Sequence, residues 1–467
     1  MKIKFLTVIT GLFFTALMIT SCLSDEKTEY DFSSNASISA FSIDNIETKY
    51  TEKVNGKDTT LTATVVGANY PFVIDQGQKL IFNIDSLPVG TDVSKVVVKI
   101  TADTQGIFIV ADEAGKDSLW TSTDSLNYEK PIRFKVMAES GVYGETYLTK
   151  VLVHKQVPDS LTWTNLSGNL DGAAIQAQKA ISFGDKIYVF ADQASQVALT
   201  TTSITDGRTW TALQPLAIPE KAEYSSVMVW GEYLYILAGN KPYRSTDGKT
   251  WSKVETTTAL SQLVANIYSS NNKNNKLVGI DTNNHFIEST DGANWKVQKE
   301  VPQNFPVNHL SYTFYPLRHN SSIDRMLVMG NNNSKTDTTT VIWSQLSTET
   351  SWADYPTDGN FTYCPKLSNI TMISYNKQLY AFGGEGKQNG KVLAPFSSIY
   401  GSIDEGVSWK PYIKNVLFPA EFSNLYEQAN GNYSVVVDKN NFLWIMWSKT
   451  GQVWRGRINK LGFDKKS

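Results

Sequence analysis

The sequence predicts an all-β chain of two domains, a β-sandwich followed by a six-bladed β-propeller. Two observations carry this. Between about Ala36 and Val157, short apolar runs alternate with turn signals. Beyond Ser160, a turn motif ending in tryptophan recurs at intervals of 41, 44, 57 and 57 residues, the period of propeller blades. The 467 residues carry 43 Lys+Arg against 45 Asp+Glu, a net charge of −2, with 12% aromatic and 19% charged residues. Such a chain has no Lys/Arg excess with which to neutralise phosphates, so nucleic acid is not expected as a partner. Two cysteines and four histidines offer neither a disulfide scaffold nor a metal cluster, and no cofactor is expected.

The first 37 residues read as an address. Lys2 and Lys4 precede an apolar stretch, 5–19, too short for a comfortable membrane span and followed at once by polar sequence. Residues 1–21 are therefore expected to be a secretory signal. Ile19-Thr20-Ser21-Cys22 resembles the bacterial lipobox, which implies cleavage before Cys22 and lipidation of its sulfur and amine. Several acyl chains on one residue anchor stably where a single chain is marginal. Leu23-Ser24-Asp25-Glu26 resembles the surface-export signal of Bacteroidota lipoproteins. Residues 22–37 are then the lipidated cysteine and a flexible polar tether without apolar period. With Cys22 lipidated, Cys364 stands alone and is expected to be a partly buried structural thiol.

Domain 38–157 carries seven expected strands, at 38–43, 60–66, 79–84, 95–100, 107–110, 132–138 and 147–153. Asn55-Gly56, Gln76-Gly77, Val89-Gly90 and Ser140-Gly141 mark turns between them. Seven strands in this length suit a sandwich. The runs 134–141 and 147–153 resemble the closing hairpin of bacterial cadherin-like modules, so an immunoglobulin-like or cadherin-like sandwich is expected.

Domain 158–460 is built on the repeated turn. Its copies are Asp206-Gly207-Arg208-Thr209-Trp210, Asp247-Gly248-Lys249-Thr250-Trp251, Asp291-Gly292-Ala293-Asn294-Trp295 and the longer Asp404-Glu405-Gly406-Val407-Ser408-Trp409, with a degenerate copy ending at Trp352. The aspartate is expected to accept backbone N–H groups of its own turn, the glycine to supply positive φ, and the tryptophan to pack on the adjacent sheet. An apolar strand precedes each turn, at 186–191, 233–239, 276–280, 325–330 and 378–384, and a sixth lies at 441–446. Gly383-Gly384 is similar to kelch repeats, and 402–409 resembles the Asp-box of sialidase-like propellers. Each blade is expected to hold four strands, with the turn between the third and fourth. The sixth blade has strands at 433–438, 441–447 and 452–458 and then runs out of chain. Its fourth strand is expected from 161–166, so that first pairs with last and the ring closes. The stretches 383–395 and 411–431 have room for an extra element, and 461–467 is a tail.

No catalytic constellation is legible. A sialidase needs three arginines around a substrate carboxylate, and of the seven here Arg133 falls in the sandwich, Arg208 in a turn and Arg325 at a strand start. Tyr363 adjoins Cys364, but His154, His285, His309 and His319 show no ligand spacing. The chain has no Gly-rich phosphate loop, His-Glu-x-x-His or Gly-x-Ser-x-Gly. Isolated turn carboxylates are poor calcium sites, so no metal is expected. The loops opposite the turns are rich in Tyr, Phe, Asn and Lys, which suits sugars or peptide. Tyr224, Tyr243, His309, Tyr312, Tyr363 and Tyr426 are the candidate binding face.

Signal, lipobox, acidic tether, sandwich and Trp-ended repeats together resemble a family of Bacteroidota surface lipoproteins, over essentially the whole chain. The resemblance implies an outer-membrane lipoprotein exposed at the cell surface and supplies no catalytic residues. The expected function is non-catalytic binding or scaffolding of glycan or envelope protein by the propeller. One alternative is a diverged glycan-active enzyme, sialidase-like or another glycoside hydrolase, for which Glu223, Glu421 and Glu427 are the nominated acids. The other is a structural component of an outer-membrane complex.

Overall fold

A computed structural model of the chain describes residues 32–459, except 55–56, 112–114, 271–272, 307, 318, 335–338, 356–361, 376–377 and 413. The expected signal 1–21, Cys22 and the tail 461–467 lie outside the described residues, as does most of the tether. The chain divides into two compact units, with the boundary after Val157.

In the first unit, strands cover all seven expected runs. Ile38–Ile43, Val96–Ala102 and Ser125–Leu126 form one sheet. A second sheet runs in the order Phe72–Asp75, Leu80–Asn83, Tyr147–Lys150, Ile132–Met137, Gly106–Ile109, Ser118–Leu119. One core of alternating inward residues serves both, including Phe41, Val96 and Val98 from the first and Ile81, Phe134, Val136 and Tyr147 from the second. The pair Leu80–Asn83 and Tyr147–Lys150 is parallel, and the fully buried Asn83 fastens its end. Its Nδ2 donates to the Leu152 carbonyl at 2.9 Å and its Oδ1 accepts from the Leu152 N–H at 2.6 Å. The hairpin Ile46–Val54/Lys57–Val65 was only half expected. Its first arm alternates charge with Thr and Tyr, and a ribbon paired on one edge alone needs no continuous apolar run.

The second unit is an all-β, propeller-like domain. Its described residues form six four-stranded sheets. The first five are consecutive in sequence and begin with Ala177–Phe183, Ala222–Trp230, Leu260–Ile267, Asn308–Leu317 and Thr371–Tyr375. The sixth is ordered Tyr433–Val437, Leu443–Trp447, Val453–Ile458 and then Leu161–Asn165, which pairs antiparallel with Val453–Ile458. The first strand of each sheet lies beside that of the next, and Ala177–Phe183 lies beside both Ala222–Trp230 and Tyr433–Val437. Second strands such as Lys186–Asp192 and Leu443–Trp447 are buried almost throughout, as strands covered on both faces must be. Fourth strands are short. Two of them contain Pro215 and Pro411, which cannot donate to a further ladder.

The apolar core lies between successive sheets, and the turn tryptophans supply much of it. Trp210 packs with Trp444 and Met446 of the sixth sheet, Trp251 with Phe190 and Leu199 of the first, and Trp409 with Leu327 and Met329 of the fourth. At the second turn, Asp247 Oδ1 accepts the Lys249 and Thr250 N–H groups, both at 2.8 Å, and the Trp251 indole donates to the Gly248 carbonyl at 2.8 Å. Asp206, Asp291 and Asp404 accept turn N–H groups in the same way. These donors hold the Asp291 carboxyl down at about 2. Trp295 is the exception in its own turn, since its indole N–H has no acceptor among the described residues.

The turn glycine does two jobs. Gly207 has φ +75°, and a Cβ there would lie 2.5 Å from the Trp444 ring of the neighbouring sheet. Gly207→Ala therefore combines left-handed backbone strain with overpacking, and lowers unfolding free energy by about 2–4 kcal/mol. Urea denaturation followed by tryptophan fluorescence measures this, and a loss under about 0.5 kcal/mol would contradict it.

Both stretches with spare length hold an element. Gly386–Gln388 and Lys391–Leu393 form a hairpin, and Glu421–Gln428 is an α-helix. The helix projects Phe422, Leu425 and Tyr426 at i, i+3 and i+4 onto one buried face.

Candidate binding site

Within the propeller-like domain, first strands start level with the turns that join second to third strands. Ala222 is opposite Ala238, Asn308 opposite Asn331, and Thr371 opposite Phe382. This edge is where the loop residues singled out from sequence were expected. Tyr224 is half-buried there, Tyr363 is half-buried in the loop before the fifth sheet, and His309 is exposed. The other three are committed to packing. Tyr243 is buried, and its hydroxyl donates to Glu220 Oε2 at 2.5 Å, a bond that pushes its pKa up to about 12. Tyr426 is buried on the helix against Phe396 and Tyr433, and burial pushes it up to about 12. Tyr312 accepts from Asn266 Nδ2 at 2.7 Å, and burial raises its pKa. An aromatic in a loop of unknown course gives no sign of which way it turns, and the unexpected helix is what turns Tyr426 inward.

A feature not singled out from sequence lies among the first strands. A cavity of about 360 Å³ is lined by residues from the first strands of five sheets, on Ala177–Phe183, Ala222–Trp230, Asn308–Leu317, Thr371–Tyr375 and Tyr433–Val437. Its walls are aliphatic (Ile181, Ile373, Val435), aromatic (Tyr312, Phe314) and hydroxylic (Ser182, Thr313, Ser374). Lys179 is the one charged side chain among the described lining residues.

The local sequence explains how Lys179 is held. The register of Ala222–Trp230 slips between Glu223 and Met228, and Ser226 Oγ takes over the ladder there. It donates to the Glu223 carbonyl at 2.6 Å and accepts from the Leu237 N–H at 2.8 Å. The Ser225 carbonyl, displaced by the bulge, accepts from Lys179 Nζ at 2.7 Å. The lysine is half-buried along the cavity, and burial pushes its pKa down from 10.5 to about 8. Its only sequence signal is a cation at an alternate position of a small and apolar strand, Ala177-Gln178-Lys179-Ala180-Ile181.

Other side chains cross between neighbouring first strands. Asn266 Nδ2 donates to the Val229 carbonyl at 3.0 Å as well as to Tyr312. Ser311 Oγ donates to the Met372 carbonyl at 2.9 Å and accepts from its N–H at 2.8 Å. The Thr371 hydroxyl lies 3.0 Å from that of Tyr433, and Ser434 Oγ donates to the Gln178 carbonyl at 3.1 Å.

Residues 157–466 match the family model described as the DUF6242 beta propeller domain, and residues 41–151 that of the Domain of unknown function (DUF6242) N-terminal domain. The chain belongs to the DUF6242 family. No curated protein matches it significantly. Among solved structures, it is similar to an auxiliary nutrient binding protein from Bacteroides ovatus, at 9% identity over 78% of this chain and 94% of that one, with a TM-score of 0.43. It is also similar to YCF48 bound to D1 peptide (12% identity, 66% and 99% coverage, TM-score 0.37). A third is the GH74 xyloglucanase from Xanthomonas campestris (14% identity, 64% and 47% coverage, TM-score 0.37).

In this DUF6242 chain the acids nominated for catalysis stand apart from the cavity. Glu223, Glu421 and Glu427 are exposed, and none lines it. Among the described residues, no group of three or more His, Cys, Asp or Glu is placed to hold a metal. No described helix is long and apolar enough to cross a membrane. Cys364 is buried, and burial raises the pKa of its thiol, so it is an unreactive core residue.

Proposed function

We propose that the DUF6242 propeller domain is a closed six-bladed ring that binds a partner rather than turning one over. Six sheets whose first strands neighbour one another in a continuous circuit support the ring, as does the pairing of Leu161–Asn165 with the last strand. Each turn tryptophan packed on the preceding sheet fits blade-to-blade stacking. The observation that carries the binding role is the cavity at the centre of that circuit, walled by aliphatic, aromatic and hydroxyl groups around one ammonium. Glycan or envelope protein is the partner class, met at the edge bearing Tyr224, His309 and Tyr363. The chain is an outer-membrane lipoprotein anchored through Cys22 and exposed at the cell surface. Its N-terminal unit is an immunoglobulin-like spacer.

Binding of the mature chain to glycan arrays and to envelope extracts tests this. The expected outcome is binding that falls about ten-fold or more when Tyr224 and Tyr363 are both changed to alanine, the cost of losing two aromatic contacts. Binding undiminished in that variant, or none to any glycan or envelope protein, overturns the reading.

A further inference from the structure

Lys179 does more than its neighbours in the circuit of first strands. The crossings made by Asn266, Ser311, Thr371 and Ser434 all use neutral groups. A carbonyl needs no charge to accept a hydrogen bond, so the ammonium exceeds what the Ser225 contact requires. One of its three N–H bonds serves Ser225, and the described residues supply no second acceptor and no carboxylate beside it. The hydroxyls of Ser182, Thr313 and Ser374 also line the cavity and have no hydrogen-bond partner among the described residues. A half-buried cation with no carboxylate beside it, among apolar walls and spare hydroxyl donors, is complementary to an anion. Its single charge suits a monoanion, where a phosphate dianion would stay half uncompensated. The aliphatic faces of Ile373 and Val435 suit an apolar body behind that charge.

We propose that this cavity is a binding site for a small organic carboxylate, with Lys179 meeting the carboxylate, the free hydroxyls bonding its oxygens, and the aliphatic wall taking the rest of the molecule. This reading rests on the same cavity that supports the binding role above. Its test, however, uses small probes with no macromolecular partner and leaves Tyr224 and Tyr363 unchanged, so the failure of one is distinguishable from the failure of the other.

Isothermal titration calorimetry of the mature chain at pH 7 uses butyrate and benzoate against butyramide and benzamide, which match them in shape without the charge. The expected result is that the carboxylates bind about ten-fold or more tightly than the amides, the worth of one charge-assisted hydrogen bond. Lys179→Gln keeps an N–H donor for Ser225 and therefore the fold, and is expected to abolish that preference. Circular dichroism confirms that the variant is folded. Equal binding of carboxylates and amides, unchanged preference in Lys179→Gln, or no carboxylate binding to the folded wild-type chain overturns the proposal.

Discussion

Lys276→Met lowers the unfolding free energy of the propeller domain by about 3 kcal/mol, the cost of leaving a buried charge without its partner. Lys276 opens the second strand of the third sheet and is buried. Its ammonium lies 3.1 Å from Glu288 Oε1 and donates to the Glu349 carbonyl at 2.5 Å, while Gln345 Nε2 donates to the same Glu288 oxygen at 2.8 Å. Glu349 belongs to the degenerate turn, which has neither the aspartate nor the glycine of the other copies. A lysine from the neighbouring sheet holds that turn instead. Burial lowers the lysine's pKa and Glu288 opposes it. Removing the lysine alone strands the Glu288 carboxylate against Gln345. The double variant Lys276→Met/Glu288→Met recovers most of the loss, since an apolar pair of similar volume replaces a buried ion pair at little cost. Guanidinium denaturation of the wild type and the three variants gives the coupling energy. A single-variant loss below about 1 kcal/mol contradicts the assignment.

Lys179→Met acts in the opposite direction. The folded-state pKa of about 8 lies below the ordinary 10.5. Below pH 8 both states hold the proton, and the folded state bears the full desolvation cost. Between pH 8 and 10.5 the unfolded state binds more protons, so this lysine's contribution to stability rises with pH, then levels off. The side chain keeps an accessible edge, so the gain is discounted to about 1–3 kcal/mol. The variant also loses the Ser225 hydrogen bond, worth about 1 kcal/mol. At pH 7 Lys179→Met is therefore up to about 2 kcal/mol more stable than wild type, and this advantage shrinks through pH 10. The difference between the two proteins is the quantity to measure. Cys364 and the buried tyrosines, whose pKa values are raised, make both proteins less stable at high pH. A difference between Lys179→Met and wild type that stays the same or grows from pH 7 to pH 10 sinks the prediction. A charge that costs more stability than its one hydrogen bond to Ser225 returns is a mark of function rather than folding.

The turn copies were legible because their chemistry is local. Asp247, Gly248 and Trp251 need only one another to form the turn, so their spacing in sequence already states the geometry. The six buried second strands were legible for a related reason, since burial on both faces requires a continuous apolar run. The strands Phe72–Asp75, Ser118–Leu119 and Ser125–Leu126 were not. They are only two to four residues long, too short for an apolar period to show. The candidate face was half legible, because exposure of an aromatic is decided by what packs over it. Tyr243 and Tyr426 are covered, and Tyr224 and Tyr363 only in part.

The primary structure alone specified the repeat, the all-β character and the device that ends each repeat, all of which follow from contacts within a few residues. Tertiary structure decided where Lys179 and Lys276 end up. Each is a lysine in an unremarkable strand until the next sheet is laid beside it. One then meets a displaced carbonyl and an open cavity, and the other the Glu349 carbonyl of the degenerate turn. A charge is defined by its surroundings, and those surroundings come from residues 46 and 73 positions away in the chain.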